Sequence, residues 1–355
     1  MKDVDHALEK TIRGGRLSVD ECLTLFEEEN LIPLGLAADR VRKKYHPDSI
    51  VTFIIGRNIN YTNICITKCR FCAFYREKGH PEAYLLTKDE IFKKIEETLE
   101  LDGTEILLQG GLHPDLTIDY YTDLLRSIKA NFDIHIHSFS PPEIVHISRI
   151  SGLTIEETLQ ELKNAGLDSL PGGGAEILAD DIREHISPNK IGTQDWLKVM
   201  EVAHNLKMPT TATMMFGSVE TFEHRLKHLE QIRNLQDKTG GFTAFIPWTY
   251  QPGHTALGGE TTGAFDYLKT LAISRLFLDN IPNIQASWVT QGAKIGQVAL
   301  AFGANDLGST MIEENVVRAT GVSHRMPKGE MIRVIKDARM IPAQRNTFYG
   351  ILKIF

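Results

Sequence analysis

The sequence predicts an α/β protein in which eight parallel strands, each followed by a helix, close into a (βα)8 barrel of the TIM type. Apolar runs of strand length alternate with amphipathic segments between residues 50 and 310, and this alternation is typical of parallel sheets. The chain has 355 residues, a common length for one closed barrel with extensions. We therefore expect a barrel at 50–310, a helical N-terminal extension at 1–49 packed on the barrel, and a C-terminal helix and tail at 311–355.

Eight apolar runs supply the expected strands, and amphipathic segments such as TKDEIFKKIEETLELDG and TFEHRLKHLEQIRNLQDKTG supply the helices. The first of these segments opens on a threonine that can cap a helix, and both end at glycine. The expected strands are IVTFIIGRNINYTNIC, TEILLQGG, DIHIHSFS, LDSLPGGG, PTTATMMFG, GFTAFIPW, NIQASWV and a short run near FGANDLGST. In such a barrel the chemistry gathers where strands end and the following loops begin.

The composition narrows the possible partners. A formal net charge of −7 argues against nucleic acid, which a clustered basic face would bind. The N-terminus lacks an apolar signal segment, and no run of about 18 apolar residues could span a bilayer. We therefore expect a cytoplasmic enzyme that binds neither nucleic acid nor membrane.

Three of the four cysteines lie close together, as Cys65, Cys69 and Cys72, in the loop after the first expected strand. Adjacent thiols cannot staple distant segments as disulfides do, so the cluster indicates metal binding in a reducing compartment. Three thiolates leave one position of a metal centre open. A zinc knuckle completed by His80 or a remote ligand is the structural alternative. Cys22 lies apart and is expected to pack as a small apolar residue on a helix.

The spacing C-x3-C-x2-C, with Phe71 directly before the last cysteine, resembles the loop of the radical S-adenosylmethionine (SAM) superfamily. The resemblance implies a [4Fe–4S] cluster held by Cys65, Cys69 and Cys72. It implies that the open iron binds the methionine part of SAM, and that one electron from the cluster cleaves the sulfonium to give a 5′-deoxyadenosyl radical. The protein then positions and shields the cofactor.

Glycines at two other strand ends mark places where a ligand can approach the backbone closely. Gln109, Gly110 and Gly111 end the second strand, where the superfamily carries a Gly-Gly-Glu-like turn for the methionine amine; here no glutamate follows, so only the backbone role carries over. An ordinary turn is the alternative. After PGGG, Glu176 can accept hydrogen bonds from a ribose diol, and Arg183 can pair with a carboxylate or remain a solvated helix residue.

His135 and His137 alternate on the third strand, so both point to one face. Such a pair also begins the metal site of zinc-dependent barrel hydrolases, but no further set of His and Asp ligands follows at later strand ends. We expect His137 and Ser138 to line the pocket and His135 to be a hydrogen-bonded residue of the inner layer.

The sixth strand ends in FIPWTYQP. Its Trp248 can stack on adenine or on an aryl substrate, although aromatic residues are more often core. The side chains of Thr249 and Gln251 are candidate polar contacts beside it.

Blocks that include QGGLHPDL, HSFSPPEI, TTATMMFG and GGFTAFIPWTYQP resemble the cyclic dehypoxanthinyl futalosine synthases of the futalosine route to menaquinone. Aminofutalosine synthases and the cofactor F420 radical synthases share several blocks, and aminofutalosine synthase, an adenosyl transferase, is the runner-up. The resemblance implies that dehypoxanthine futalosine is cyclised after hydrogen abstraction from C4′ and attack on the benzoate ring, and that a flavodoxin or ferredoxin supplies electrons. His137, Glu176 or another carboxylate is the candidate proton acceptor.

Overall fold

Ten strands form the framework of the protein, whose computed structural model describes residues 2–355. Strands β1 and β2 form the two halves of one bent segment, interrupted at Ile55. The strands are β1 (Ile50–Ile54), β2 (Gly56–Ile59), β3 (Glu105–Leu108), β4 (His135–Ser138), β5 (Thr210–Phe216), β6 (Phe242–Thr249), β7 (Asn283–Ile284), β8 (Asp306–Ser309), β9 (Ile341–Arg345) and β10 (Ile351–Ile354).

Parallel pairing runs around a complete ring. Strand β1 pairs with β8, β2 with β3, β3 with β4, β5 with β6, and β6 with β7. Single β-bridges complete the ring where no longer ladder forms. Residues 169–170 bridge to His137 of β4 and to Thr210 of β5, and Gln285, next to β7, bridges to Asp306 of β8. Residues 169–170 are thus the fourth of eight strands, and the predicted (βα)8 barrel is confirmed.

Thirteen α-helices, counted over residues 2–355, surround or extend the barrel, and several begin at caps that the sequence carries. Thr87 caps α4 with Glu90 in a reciprocal capping box, and α10 ends at Gly240 with φ 65°. The helices are α1 (Lys2–Ile12), α2 (Val19–Glu27), α3 (Leu31–Tyr45), α4 (Lys88–Glu100), α5 (Ile118–Asn131), α6 (Pro141–Ser151), α7 (Ile155–Ala165), α8 (Asp180–Ile186), α9 (Thr193–Asn205), α10 (Phe222–Thr239), α11 (Ala264–Phe277), α12 (Trp288–Ala299) and α13 (Lys328–Asp337). Among the described residues, no helix is long and apolar enough to cross a membrane.

The N-terminal extension consists of α1 to α3 and packs on the outside of the barrel. The Lys269 ammonium of α11 donates to the Phe26 carbonyl at 2.9 Å, and the Tyr45 hydroxyl donates to the Asp279 carbonyl at 2.6 Å. Cys22 is fully buried in α2, as expected for a packing residue.

The C-terminal region differs from the expected helix and tail, because α13 is followed by two strands. Strand β9 runs parallel to β1, from Ile341 opposite Ile50 to Gln344 opposite Phe53, and β10 returns antiparallel to β9. Because the segment bends at Ile55, only its second half, β2, pairs with β3. The corresponding edge of β1 is therefore free, and β9 pairs with it. The short polar segment IPAQR carries little strand signal, so its pairing is a tertiary effect.

Candidate active site

A cavity of about 290 Å3 occupies the inside of the barrel. Alternate residues of each strand face it, since successive side chains of a strand point to opposite faces. The lining includes Asn58, Glu105, Gln109, His137, Glu176, Trp248, Gln285 and Trp288 from the barrel, and Arg345, Thr347 and Tyr349 from the C-terminal region. We call the end of the barrel that carries the cysteine loop the mouth, and the end closed by 341–349 the floor.

The cysteine loop follows β2 at the mouth and is held by backbone hydrogen bonds. The Cys65 N–H donates to the Arg76 carbonyl at 3.0 Å, and the Arg70 N–H donates to the Ile186 carbonyl at 2.9 Å. All three thiols of the loop are free, and Cys69 is only 5% exposed. Burial raises the pKa of Cys69 to about 11.

The three thiols of this loop are the donor type that holds a [4Fe–4S] cluster. Among residues 2–355, no group of three Cys, His, Asp or Glu side chains is arranged to hold a metal ion. His80 is exposed, and its Nδ1 accepts a hydrogen bond from the Glu82 N–H at 3.1 Å. The Leu112 N–H donates to Cys65 Sγ at 3.3 Å, the kind of hydrogen bond that tunes cluster sulfurs.

The Gln109–Gly111 turn lies against the cysteine loop. A Cβ at Gly110 would lie 2.5 Å from the Tyr61 ring, and one at Gly111 would lie 2.3 Å from the Ile64 carbonyl oxygen. The two glycines therefore allow the loop to pass close to the end of β3. The Gly110 N–H donates to Glu143 Oε1 at 3.0 Å, and the Gln109 side chain lines the cavity.

Glu143, which sequence reasoning missed, fastens this turn to α6. Its carboxylate accepts from the Tyr61 hydroxyl at 2.8 Å, and from the Ser140 N–H at 2.8 Å and hydroxyl at 2.7 Å, besides Gly110. Burial raises its pKa, and these donors oppose that shift. Ser140 and Glu143 form a capping box at the start of α6, but nothing local in the sequence indicates that the same carboxylate binds the glycine turn.

Glu176 and Lys190 form an ion pair beside the cysteine loop. The Lys190 ammonium lies 2.9 Å from Glu176 Oε1 and 5.3 Å from the centre of the Phe71 ring. Burial alone lowers the pKa of Lys190, but the Glu176 carboxylate and the Cys69 thiol outweigh it and raise the pKa above its ordinary value. Glu176 Oε2 is buried without a hydrogen-bond partner in the described part of the chain. Sequence reasoning missed Lys190, which lies 14 residues beyond Glu176.

Arg183 holds the backbone of the same loop. Its guanidinium donates to the carbonyls of Gly174 at 3.1 Å, Ala175 at 2.5 Å and Ile191 at 2.7 Å, and lies 3.6 Å from Glu176 Oε2. It is buried and lies outside the cavity lining. It is therefore not a solvated helix residue, and its hydrogen bonds fix the shape of the loop that carries Glu176.

The sixth strand divides its three candidates between two layers. Trp248 lines the cavity, whereas Thr249 points the other way because side chains alternate along the strand. The Thr249 hydroxyl accepts from the amides of Gln251 at 3.0 Å and Gln291 at 2.7 Å. Thr249 and Gln251 thus lie behind the cavity wall rather than in it.

Strand β4, the third strand of the barrel, places its histidines on one face, as expected from their alternation. His137 lines the cavity, and both imidazoles hydrogen-bond to the Ser169 hydroxyl at 2.7 Å. Burial, with the Arg345 charge adding to it, lowers the pKa of His137 to about 3. Ser138 differs from its expected position: it takes the opposite face of the strand, where its hydroxyl donates to the Leu108 carbonyl at 2.5 Å.

The floor is closed by an ion pair that the sequence did not indicate. Arg345 donates to Asp306 through Nε at 2.6 Å and Nη2 at 3.0 Å, and the Thr52 hydroxyl donates to the same carboxylate at 2.5 Å. The Thr347 hydroxyl donates to Glu105 at 2.6 Å. These groups are buried, so the cavity is sealed from water at this end.

Comparison with protein-family models accounts for most of the chain. The model of the radical SAM superfamily matches residues 59–232, which contain the cysteine loop and the ion pair beside it. The model described as the CofH/MqnC C-terminal region matches residues 239–355, which contain Trp248 and the floor.

Curated relatives match the chain almost from end to end. The cyclic dehypoxanthine futalosine synthase of Halalkalibacterium halodurans is 51% identical over 354 residues, covering 99% of this chain and 96% of the relative. That of Streptomyces coelicolor is 45% identical, covering 98% and 88%. The 5-amino-6-(D-ribitylamino)uracil–L-tyrosine 4-hydroxyphenyl transferase of Archaeoglobus fulgidus is 46% identical, covering 89% and 92%.

Solved structures share the fold. Methylornithine synthase superposes with a TM-score of 0.76 at 19% identity, covering 95% of this chain and 97% of that one. The FeFe-hydrogenase maturase HydG of Carboxydothermus hydrogenoformans gives a TM-score of 0.79 at 19% identity, covering 98% and 81%. The barrel and its extensions are therefore a known arrangement of elements.

Proposed function

The chain belongs to the radical SAM superfamily, and from that premise we propose that it cyclises dehypoxanthine futalosine to cyclic dehypoxanthine futalosine in menaquinone biosynthesis. It is accordingly an enzyme that uses a [4Fe–4S] cluster and SAM. The observation that carries the proposal is the 51% identity to a curated cyclic dehypoxanthine futalosine synthase over 99% of this chain.

The residues at the mouth suit the cofactors that this chemistry needs. Cys65, Cys69 and Cys72 would hold three irons of the cluster and leave the fourth for SAM. When bound, the cluster and SAM would supply the radical chemistry needed to remove hydrogen from C4′ of the substrate. Glu176, with one oxygen free of hydrogen bonds, would accept from the ribose hydroxyls of SAM.

The cavity suits a reaction within one aromatic substrate. Forming a C–C bond between the sugar carbon and the attached benzoate ring requires both parts to be held at near-attack distance. Trp248 and Trp288 provide flat apolar surface on the lining, and Asn58, Gln109 and Gln285 provide amide groups for orientation. The sealed floor excludes water, which protects carbon radicals from side reactions.

A second candidate function is transfer of the 4-hydroxyphenyl group of tyrosine to 5-amino-6-(D-ribitylamino)uracil. The 46% identity to the Archaeoglobus fulgidus transferase favours it. Aminofutalosine synthase remains a third candidate from the sequence, in which the adenosyl group itself adds to the substrate. The three reactions differ in their products: the cyclase releases 5′-deoxyadenosine with a cyclic product that has two hydrogens fewer than its substrate, the transferase joins the 4-hydroxyphenyl group to the uracil, and the synthase retains the adenosyl group in its product.

Anaerobic turnover of the reconstituted enzyme tests the proposal. The enzyme is incubated with SAM, dithionite and each candidate substrate in separate reactions, and products are identified by mass and NMR. We expect 5′-deoxyadenosine and the cyclic product from dehypoxanthine futalosine alone. The proposal is overturned if no preparation forms the cyclic product and phenyl transfer is observed instead. Replacing dithionite with reduced flavodoxin or ferredoxin tests the proposed class of electron donor.

A further inference from the structure

A hydrogen-bonded row of three side chains leads from the cavity toward the floor. His137 presents its ring to the cavity and contacts the Ser169 hydroxyl through Nδ1 at 2.7 Å; the same hydroxyl lies 2.7 Å from Nε2 of His135. Among the described residues, Nε2 of His137 has no hydrogen-bond partner. One hydroxyl between two imidazoles can accept from one and donate to the other.

The row has a direction, because the charges at its two ends differ. At the inner end, Arg345 disfavours a positive charge on His137, in addition to the effect of burial. At the outer end, burial lowers the pKa of His135 as well; the Glu105 and Asp168 carboxylates oppose this shift without reversing it, and the Lys129 charge adds to it. Nδ1 of His135 lies 4.0 Å from Asp168 Oδ2, and its side chain is 14% exposed.

We propose that His137 accepts the proton that the substrate ring loses, and that Ser169 and His135 relay it out through the floor. The proposal rests on the proposed function, since a cyclisation that restores an aromatic ring must release one proton inside the cavity. Of the two candidate proton acceptors, it selects His137 rather than Glu176, which is paired with Lys190 at the mouth.

Attack of the sugar radical on the ring forms one C–C bond and leaves an unpaired electron delocalised over the ring. The ring then loses one electron to a one-electron acceptor of the iron–sulfur class and one proton to His137 Nε2. As this C–H bond breaks, the Nδ1 proton passes to Ser169, whose own proton passes to His135 Nε2. The net result is one proton moved from the ring to His135.

Neutral His137 is suited to this role although it is a weak base. The ring C–H bond becomes strongly acidic once the electron leaves, so a neutral imidazole suffices. An imidazolium beside Arg345 is unfavourable, which means that the proton does not stay there. His137 is the catalytic residue in this scheme, and Ser169 and His135 are relay residues behind it.

The test measures coupling, defined as cyclic product formed per 5′-deoxyadenosine. In His137→Gln we expect coupling to fall on the order of 100-fold, with uncyclised or reduced products replacing the cyclic one. Ser169→Ala keeps the base and breaks the relay, and we expect about a tenfold fall. His135→Gln should lower coupling as much as Ser169→Ala does. The double variant Ser169→Ala/His135→Gln should lower coupling no further than either single change, because the two residues act in series along one relay.

His204→Gln is the matched control. His204 is also a buried imidazole bonded to hydroxyls, with Thr239 at 2.6 Å and Thr210 at 2.8 Å, but it lies outside the cavity lining. We expect its coupling to equal that of the wild type, and circular dichroism verifies the fold of every variant.

The outcomes separate this proposal from the proposed function. Wild-type coupling in folded His137→Gln overturns the relay while the cyclase assignment stands. Equal loss of 5′-deoxyadenosine and product, with unchanged coupling, also overturns the relay, because it indicates a structural role. A wild-type enzyme that never cyclises the substrate overturns the function itself.

Discussion

The mouth and the floor of the barrel differ in how their polar groups are paired. At the floor, the Asp306 carboxylate accepts from Arg345, Thr52 and the Gly308 N–H, and no oxygen is left over. At the mouth, the loop carries three thiols that form no disulfide, and Glu176 Oε2 is buried without a hydrogen-bond partner in the described part of the chain.

This difference suggests that the floor of the cavity stabilises the fold and that the mouth carries the chemistry. Buried polar groups of a folded protein are normally hydrogen-bonded, so the completed network of the floor is what a stabilising closure requires. An unsatisfied buried group costs stability, and at the mouth that group, Glu176 Oε2, belongs to a residue expected to meet a cofactor. Changes at the mouth should therefore remove chemistry while preserving the fold, and changes that break the Arg345–Asp306 pair at the floor should lower stability.

The largest effect is expected from the cysteines of the mouth. Cys65→Ala, Cys69→Ala and Cys72→Ala should each abolish 5′-deoxyadenosine formation, because two thiolates cannot hold a cluster that leaves one iron for SAM. The free energies of unfolding in urea, measured on proteins without the cluster, should differ between variant and wild type by only about 1 kcal/mol, because the loop lies outside the barrel layers. The measurements are iron and sulfide content and product chromatography.

Cys22→Ala is the control for these variants, because Cys22 is buried in α2 far from the loop in sequence. It should retain the cluster and cleave SAM at the wild-type rate. A brown, active Cys69→Ala protein would contradict the assignment of the cluster ligands.

The floor should show the opposite pattern. Arg345→Met leaves the fully buried Asp306 carboxylate without its cation, and breaking such a pair costs about 3–5 kcal/mol. The double variant Arg345→Met/Asp306→Leu should recover much of this loss, because neither charge of the pair remains. Urea unfolding curves of both variants measure the difference, and a single variant as stable as wild type would show that the floor is not held by this pair.

Lys190 lies between these extremes, since it is a buried charge near the cluster cysteines. In Lys190→Met the loss of one positive charge should lower the cluster's reduction potential by about 50–100 mV, which corresponds to ~1–2 kcal/mol for one electron. Lys190→Arg keeps the charge beside Glu176 and should shift the potential less. Redox titration followed by EPR measures both, and equal potentials in wild type and Lys190→Met would remove the electrostatic role.

The same comparison explains what the sequence could predict. The mouth depends on short motifs: the spacing of three cysteines and the glycines after β3 are legible along the chain, and all eight strand runs were found. The floor depends on residues distant in sequence, since Arg345 meets Asp306 across 39 positions. Ser169, Lys190 and Glu143 were missed because a single serine, lysine or glutamate carries no pattern, and Ser138 was misplaced because the pleat turns it away from His137.

The last expected effect is a pH dependence of stability and concerns His204, which lies in α9 and contacts Thr210 at the start of β5. Burial lowers the pKa of His204 to about 4, below the ordinary histidine value of about 6.5. The unfolded chain therefore binds a proton that the folded chain does not bind between these two values, and stability falls as pH drops through this window. Each such group contributes at most about 1.4 kcal/mol per pH unit. Urea unfolding of His204→Gln from pH 7 to pH 4.5 should show a slope smaller by that amount than wild type. Parallel slopes would mean that His204 is protonated in the folded protein as readily as in the unfolded chain, and its hydrogen bonds to Thr239 and Thr210 would then need a charged ring as donor at both nitrogens.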